Sequence, residues 1–114
     1  MNNCTVFDAT LRDSSYAVNF QFSKQDTMEI CNELEKSGIN YIEVGHGLGL
    51  GASSPKLGYA KEKDIDYLIA ARNSLKKAKF GAFFIPGIGS KIDIKTSKKE
   101  GASFIRIGQD INKI

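Results

Sequence analysis

KSGINYIEVG at residues 36–45 and KEGASFIRIG at residues 99–108 are one ten-residue pattern written twice. Each copy has a lysine where a helix would finish, then a glycine, an aromatic-led β-prone run, and a closing glycine. Glycine after a basic last turn suits the left-handed position that stops a helix. Ile, Val and Phe then suit a strand buried on a helix-covered sheet. Between the copies, residues 79–85 (KFGAFFI) read as a third strand, ended by Pro86, which has no N–H to donate. Ahead of them, residues 4–8 read as a first strand. The order is β-α-β-α-β-α-β, so the fold class is α/β, built of parallel β/α units. The match also sets Glu43 and Arg106 at the same place in strands two and four. Burying either charge unpaired would be costly. The two side chains are therefore expected to point the same way and lie near each other.

The intervening segments carry helix signals. Ser23 with Asp26, and Ser90 with Asp93, have the spacing of a capping box. After Ser23, the residues Met28, Cys31 and Leu34 recur at helical spacing, with Ile30 off the stripe. A second helix begins at Lys63 or Asp64, with Ile65, Leu68, Ile69 and Leu75 as its apolar stripe. A third runs from Ser90 to about Glu100 and stops at Gly101. The loop at residues 9–22 is long for a β–α connection, and long loops in compact domains are commonly functional. The glycine-rich segment after strand two has no helical period. It also lacks the G-x-G-x-x-G spacing that opens a dinucleotide-binding helix. Residues 109–114 begin another loop.

The chain has 114 residues, 41% apolar and 25% charged, which is the composition of one ordinary globular domain. A net charge of +3 with scattered lysines lacks the dense basic stripe of a nucleic-acid binder. No apolar run approaches the roughly 20 residues of a membrane span. Asn2 and Asn3 precede the first strand without a basic, then apolar, leader pattern. Cys4, placed in a strand, and Cys31, on a helix's buried face, form no CxxC pair. Both are expected to be reduced core thiols in a cytoplasmic protein.

Ligands of parallel β/α proteins gather at the carboxyl ends of the strands. The candidate polar groups map there: Arg12 and Asp13 after strand one, Glu43 in strand two, His46 just beyond it, and 87–90 (GIGS) after strand three. Asp supplies hard oxygen to a divalent cation, and Arg stabilises negative charge on a bound oxygen. Each residue also has a plainer reading. Arg12 and Asp13 fit a loop ion pair, Glu43 a structural partner of Arg106, and Tyr16 a packing or lid residue. His46 fits a loop residue without a direct role, and GIGS a tight turn rather than an anion nest.

Four motifs occur in order: DATLRD at 8–13, YIEVGHGLGLGASS at 41–54, FIPGIGS at 84–90 and FIRIG at 104–108. Together they resemble the first half of the metal-dependent aldolase and lyase superfamily, and within it the 4-hydroxy-2-oxovalerate aldolases. The resemblance implies the N-terminal part of a TIM (β/α)8 barrel, about half a barrel over residues 1–114. A complete barrel takes about 250 residues. It implies Asp13 as a metal ligand, Arg12 as the arginine that stabilises an enolate and contacts substrate, and Glu43 as the glutamate of the family's Asp-Arg-Glu signature. Tyr16 stands where these aldolases hold a histidine base, and Ser14 where glycine is usual. His46 is expected, with Arg12, to bind substrate. The implied reaction cleaves a 4-hydroxy-2-oxo acid to pyruvate and an aldehyde with Mn or Mg. The family's other metal ligands are a His-x-His pair on a later strand, and this chain has one histidine. Activity is therefore expected only with ligands from a missing half. The alternatives are a synthase condensing an acyl-CoA with a 2-oxo acid, or an inert half-barrel that associates with itself.

Overall fold

A computed structural model describes residues 4–113; the expectations for Asn2, Asn3 and Ile114 lie outside the described residues. Four strands form one sheet, all parallel, in the order of the sequence: β1 (Phe7–Asp8), β2 (Tyr41–Val44), β3 (Lys79–Phe84) and β4 (Phe104–Ile107). Phe7 is level with Tyr41, Glu43 with Gly81, Gly81 with Phe104, and Phe83 with Arg106. Helices α2 (Lys24–Lys36), α3 (Asp64–Ser74) and α4 (Lys91–Lys99) make the crossovers. Parallel β/α units are what the repeated pattern predicts, and their arrangement is consistent with the half (β/α)8 barrel that the resemblance implies.

Boundaries differ from the expectation in small, explicable ways. The first strand is shorter than residues 4–8, because regular pairing starts at Phe7. Ahead of it, the Asn40 side chain accepts the Val6 N–H at 3.0 Å, and the Val6 carbonyl accepts the Tyr41 N–H. Cys4 precedes the pairing and is exposed, so only Cys31 is a core thiol. Burial pushes the Cys31 thiol up to about 12, against a hydrogen bond with Ser74.

Both capping expectations hold where they matter. Asp26 accepts the Ser23 N–H at 2.9 Å while Ser23 Oγ accepts the Asp26 N–H at 2.9 Å. At α4, Asp93 accepts both the N–H and the hydroxyl of Ser90. The helix stripes shift by a residue. On α2 the buried positions are Thr27 and Cys31, with Ile30 and Leu34 packed beside them. The helix thus lies with Ile30, not Met28, towards the core. On α3 Tyr67, Leu68, Ala70, Ala71 and Ser74 are buried, while Ile65 and Ile69 are half-buried. Of the small residues, Ser74 reaches α2 through its hydrogen bond with Cys31.

Side-chain alternation divides the sheet into two faces. Ile42, Val44, Phe80, Ala82 and Phe84 point towards the helices and join Leu68, Ala71 and Cys31 in the core. Phe7, Tyr41, Glu43, Phe83, Phe104 and Arg106 lie on the other face, the concave side that a closed barrel would enclose. There Phe104 sets its ring edge-on to Phe7 and to Tyr41. It lies directly over Gly81, where any Cβ would collide with the Phe104 ring and carbonyl.

Candidate functional site

The segment expected as a long loop over residues 9–22 is helical from Thr10 to Val18. Asp8 accepts the Thr10 N–H at 2.8 Å and the Thr10 hydroxyl at 3.0 Å, which starts a helical turn straight after β1. This is α1 (Thr10–Asp13), followed by a 3-10 turn over Ser14–Val18. Leu11 is buried and anchors the turn. With Leu11 facing the core, its neighbour Arg12 reaches across the concave face. Ser15 Oγ donates to the Arg12 carbonyl at 2.8 Å and ties the two turns together. Asn19 and Phe20 then take left-handed φ values of 53° and 61° and reverse the chain.

At the centre is Glu43, whose side chain is fully buried. Arg12 Nε donates to Glu43 Oε1 at 2.8 Å. Arg106 donates through Nε to Oε2 at 2.8 Å and through Nη2 to Oε1 at 2.9 Å. The expected meeting of Glu43 and Arg106 is therefore present, with one refinement. Glu43 is level with Gly81 and Phe104, so Arg106 reaches it diagonally across β3. Both guanidiniums also lie against the Phe83 ring, at 4.7 Å for Arg12 and 4.6 Å for Arg106. Hydrogen bonding to Glu43 raises the pKa of Arg106 above its ordinary value, against some burial, and the charges of Glu43 and Asp13 add to the rise. The Glu43 carboxylate thus takes two guanidiniums, with the Asp13 carboxylate beside Arg12 as the fourth charge.

Asp13 lies beside this cluster at the carboxyl ends of the strands. Its side chain is 74% exposed, and Oδ1 is 3.8 Å from Arg12 Nη2. It is a hard oxygen donor open to solvent. Among the described residues, however, no group of three or more His, Cys, Asp or Glu side chains is placed to hold a metal ion. A divalent cation there would need further ligands from elsewhere.

Tyr16 and His46 belong to a different assembly. Tyr16 is half-exposed, and its ring meets Phe20 edge-on at 5.3 Å. Phe20 stacks on the His46 imidazole at 3.9 Å. His46 is buried, accepts the Leu48 N–H at Nδ1, and faces the Gly58 carbonyl with Nε2 at 2.9 Å. Acceptance at Nδ1 places the ring proton on Nε2. Both nitrogens are thus engaged with backbone, and the ring pins the glycine-rich loop. A Cβ at Gly58, whose φ is +97°, would strike the Phe20 ring at 2.7 Å. The same loop supplies the Gly47 carbonyl that accepts from Arg12 Nη1 at 3.1 Å. On its far side the Gly51 N–H donates to Asp64 at 2.8 Å, and burial raises the pKa of that carboxyl.

Residues 87–90 lie off the Glu43 cluster, beside a cavity of about 610 Å³ lined by Lys56, Ile85, Gly87 and Asp110. Sequence reasoning missed Phe83 and Phe20. The alternation in KFGAFFI could have placed Phe83 on the Glu43 face. Nothing local announces that Phe20 would stack on a histidine 26 positions later.

No helix of the described residues is long and apolar enough to cross a membrane. No family model matches the chain. Among curated proteins, it is 44% identical over 102 residues to a 4-hydroxy-2-oxovalerate aldolase of Carboxydothermus hydrogenoformans, covering 90% of this chain and 30% of that protein. It is 38% identical over 103 residues to 4-hydroxy-2-oxovalerate aldolase 4 of Rhodococcus opacus, with the same coverage. A 4-hydroxy-2-oxovalerate aldolase from Roseiflexus castenholzii is 36% identical over 107 residues, 94% of this chain and 32% of the relative. The chain thus spans about 30% of the length of these relatives.

Proposed function

We propose, from the premise that this chain is a homologue of the 4-hydroxy-2-oxovalerate aldolases over the part it spans, that it forms the first half of a divalent-metal-dependent aldolase barrel. The complete enzyme would cleave a 4-hydroxy-2-oxo acid to pyruvate and an aldehyde. The observation that carries this reading is the clamp of Arg12 on buried Glu43 at the carboxyl ends of the strands, beside exposed Asp13. Arg12 has its Nε and Nη1 committed to Glu43 and Gly47, and its Nη2, 3.8 Å from Asp13 Oδ1, has no hydrogen bond among the described residues. It would stabilise negative charge on the 2-oxo oxygen as the carbon–carbon bond opens. Asp13 would hold the metal, with the other ligands supplied by chain beyond the residues described. A bound Mn or Mg supplies Lewis-acid polarisation of the substrate.

Tyr16 is assigned a hydrogen bond to the substrate hydroxyl, supported by its half-exposed ring at the rim. His46 acts by holding the loop whose Gly47 carbonyl orients Arg12. The chain alone is assigned no activity, because its described residues offer Asp13 without companion ligands. Pairing of two isolated copies through the concave face and the β4 edge, where Ile107 is exposed, is part of the same reading. A cytoplasmic location fits the free thiols of Cys4 and Cys31.

The test is pyruvate release from 4-hydroxy-2-oxovalerate by the full-length protein, with and without Mn. Asp13→Asn is expected to lose most of the metal-stimulated rate. Full activity in that variant removes Asp13 as a ligand, and absence of pyruvate from the unaltered protein removes the aldolase assignment.

A further inference from the structure

We infer that Arg106 is a positioning residue that keeps Arg12 aimed at the mouth by occupying the far side of the Glu43 carboxylate. The inference rests on the aldolase reading for its consequence in catalysis, and on geometry alone for its structural content.

A lone arginine facing a carboxylate favours the two-bond fork, in which Nε and one terminal nitrogen each take an oxygen. Arg106 makes that fork with Glu43, through Nε at 2.8 Å and Nη2 at 2.9 Å. Arg12 does not. It gives Glu43 a single bond from Nε, gives Nη1 to the Gly47 carbonyl, and leaves Nη2 3.8 Å from Asp13. The difference follows from occupancy. Oε2 is taken by Arg106, and Oε1 already accepts from both arginines. Glu43 is fully buried, so no water competes for its oxygens.

Remove Arg106 and Oε2 loses its donor among the described residues. An unsatisfied buried carboxylate oxygen is costly, and the terminal torsion of glutamate turns freely. Arg12 is the cation within reach, and it would complete the fork itself by turning Nη2 inward. The Nη2 N–H that the aldolase reading assigns to substrate would then be spent on Glu43. Phe83 fixes the plane in which this choice is made, because both guanidiniums lie on its ring. Arg106 is itself 43% exposed, so its exchange removes less packing than exchange of Arg12 would.

The experiment uses the full-length enzyme with Arg106→Met, in the native background and in the Glu43→Gln background. In the native background kcat for pyruvate release is expected to fall about 10- to 100-fold, as for groups that orient a reacting residue, with KM changed by less than about twofold. In the Glu43→Gln background the same exchange should leave kcat within about twofold, since the fork it protects is gone. An equal loss in both backgrounds overturns the inference. So does a raised KM with kcat kept, which would mean direct contact with substrate. If Arg106→Met does not fold, Arg106→Leu, which likewise offers Oε2 no donor, takes its place with the same expected fall in kcat; unchanged kcat overturns the inference. Should the native enzyme release no pyruvate, the aldolase reading falls. Crystal structures then decide: Arg12 Nη2 on Glu43 Oε2 in Arg106→Met supports the inference, and an unmoved Arg12 overturns it.

Discussion

The two faces of the same four strands obey different rules. Towards the helices, Ile42, Val44, Phe80, Ala82 and Phe84 form an apolar layer in which each residue matters by its volume. On the concave side, one residue further along each strand, sit Glu43, Phe83 and Arg106, where each matters by its charge and orientation. Position 42 and position 43 are neighbours in sequence and both are fully buried. One is buried among hydrocarbon, the other between two guanidiniums. Burial alone therefore says nothing about role here; the partner does.

Substitutions at that adjacent pair separate the faces. Glu43→Gln in the full-length enzyme should be the most damaging, because it strikes both properties. Losing the carboxylate leaves Arg12 and Arg106 facing each other, at about 3 kcal/mol in stability. It also frees Arg12, at about 10- to 100-fold in kcat; thermal unfolding and pyruvate release measure the two. Native stability together with native kcat would erase the distinction between the faces. Ile42→Ala should cost about 2–5 kcal/mol of stability by leaving a cavity. Denaturant titration reads that loss, while kcat per folded molecule stays near native. A large loss of kcat at full folding would show that the helix-side layer also tunes the site.

A smaller effect lies at the opposite end of the strands. Glu35 accepts the N–H groups of Lys76, Lys77 and Ala78, which joins α2 to the start of β3. The Ala78 and Lys77 bonds lead in lowering its pKa below the ordinary value of 4.5. A depressed carboxyl pKa stabilises the fold above its unfolded value, and that stabilisation is lost as pH falls through the native one. Solvent access keeps it small. Glu35→Gln should cost about 1 kcal/mol at neutral pH, with the gap from native closing in acid. A gap that stays constant with pH would assign the effect to packing instead.

The helix-side face was largely legible in the sequence, because periodicity, capping pairs and glycine stops are local. The Ser23–Asp26 box and the strand order came from short-range patterns. The meeting of Glu43 and Arg106 was legible because the repeated pattern put opposite charges at equivalent places. The Thr10–Val18 turns were not. They depend on Asp8 capping Thr10 and on Leu11 finding the core, and a run of Ser, Asp and Thr reads equally well as a loop. The Phe20–His46 stack was hidden for another reason. It needs two consecutive left-handed residues, neither of them glycine, and a glycine opposite to admit the ring. The shift of the α3 stripe towards alanine and serine reflects close helix packing that an apolar count does not register.

The most direct test of the account is the steady-state rate of the full-length enzyme carrying Arg12→Lys. A lysine has no second edge with which to hold Glu43 and still face the mouth. The account predicts that kcat for pyruvate release falls about 100-fold or more, with the fold intact. A kcat equal to that of the native enzyme would contradict it.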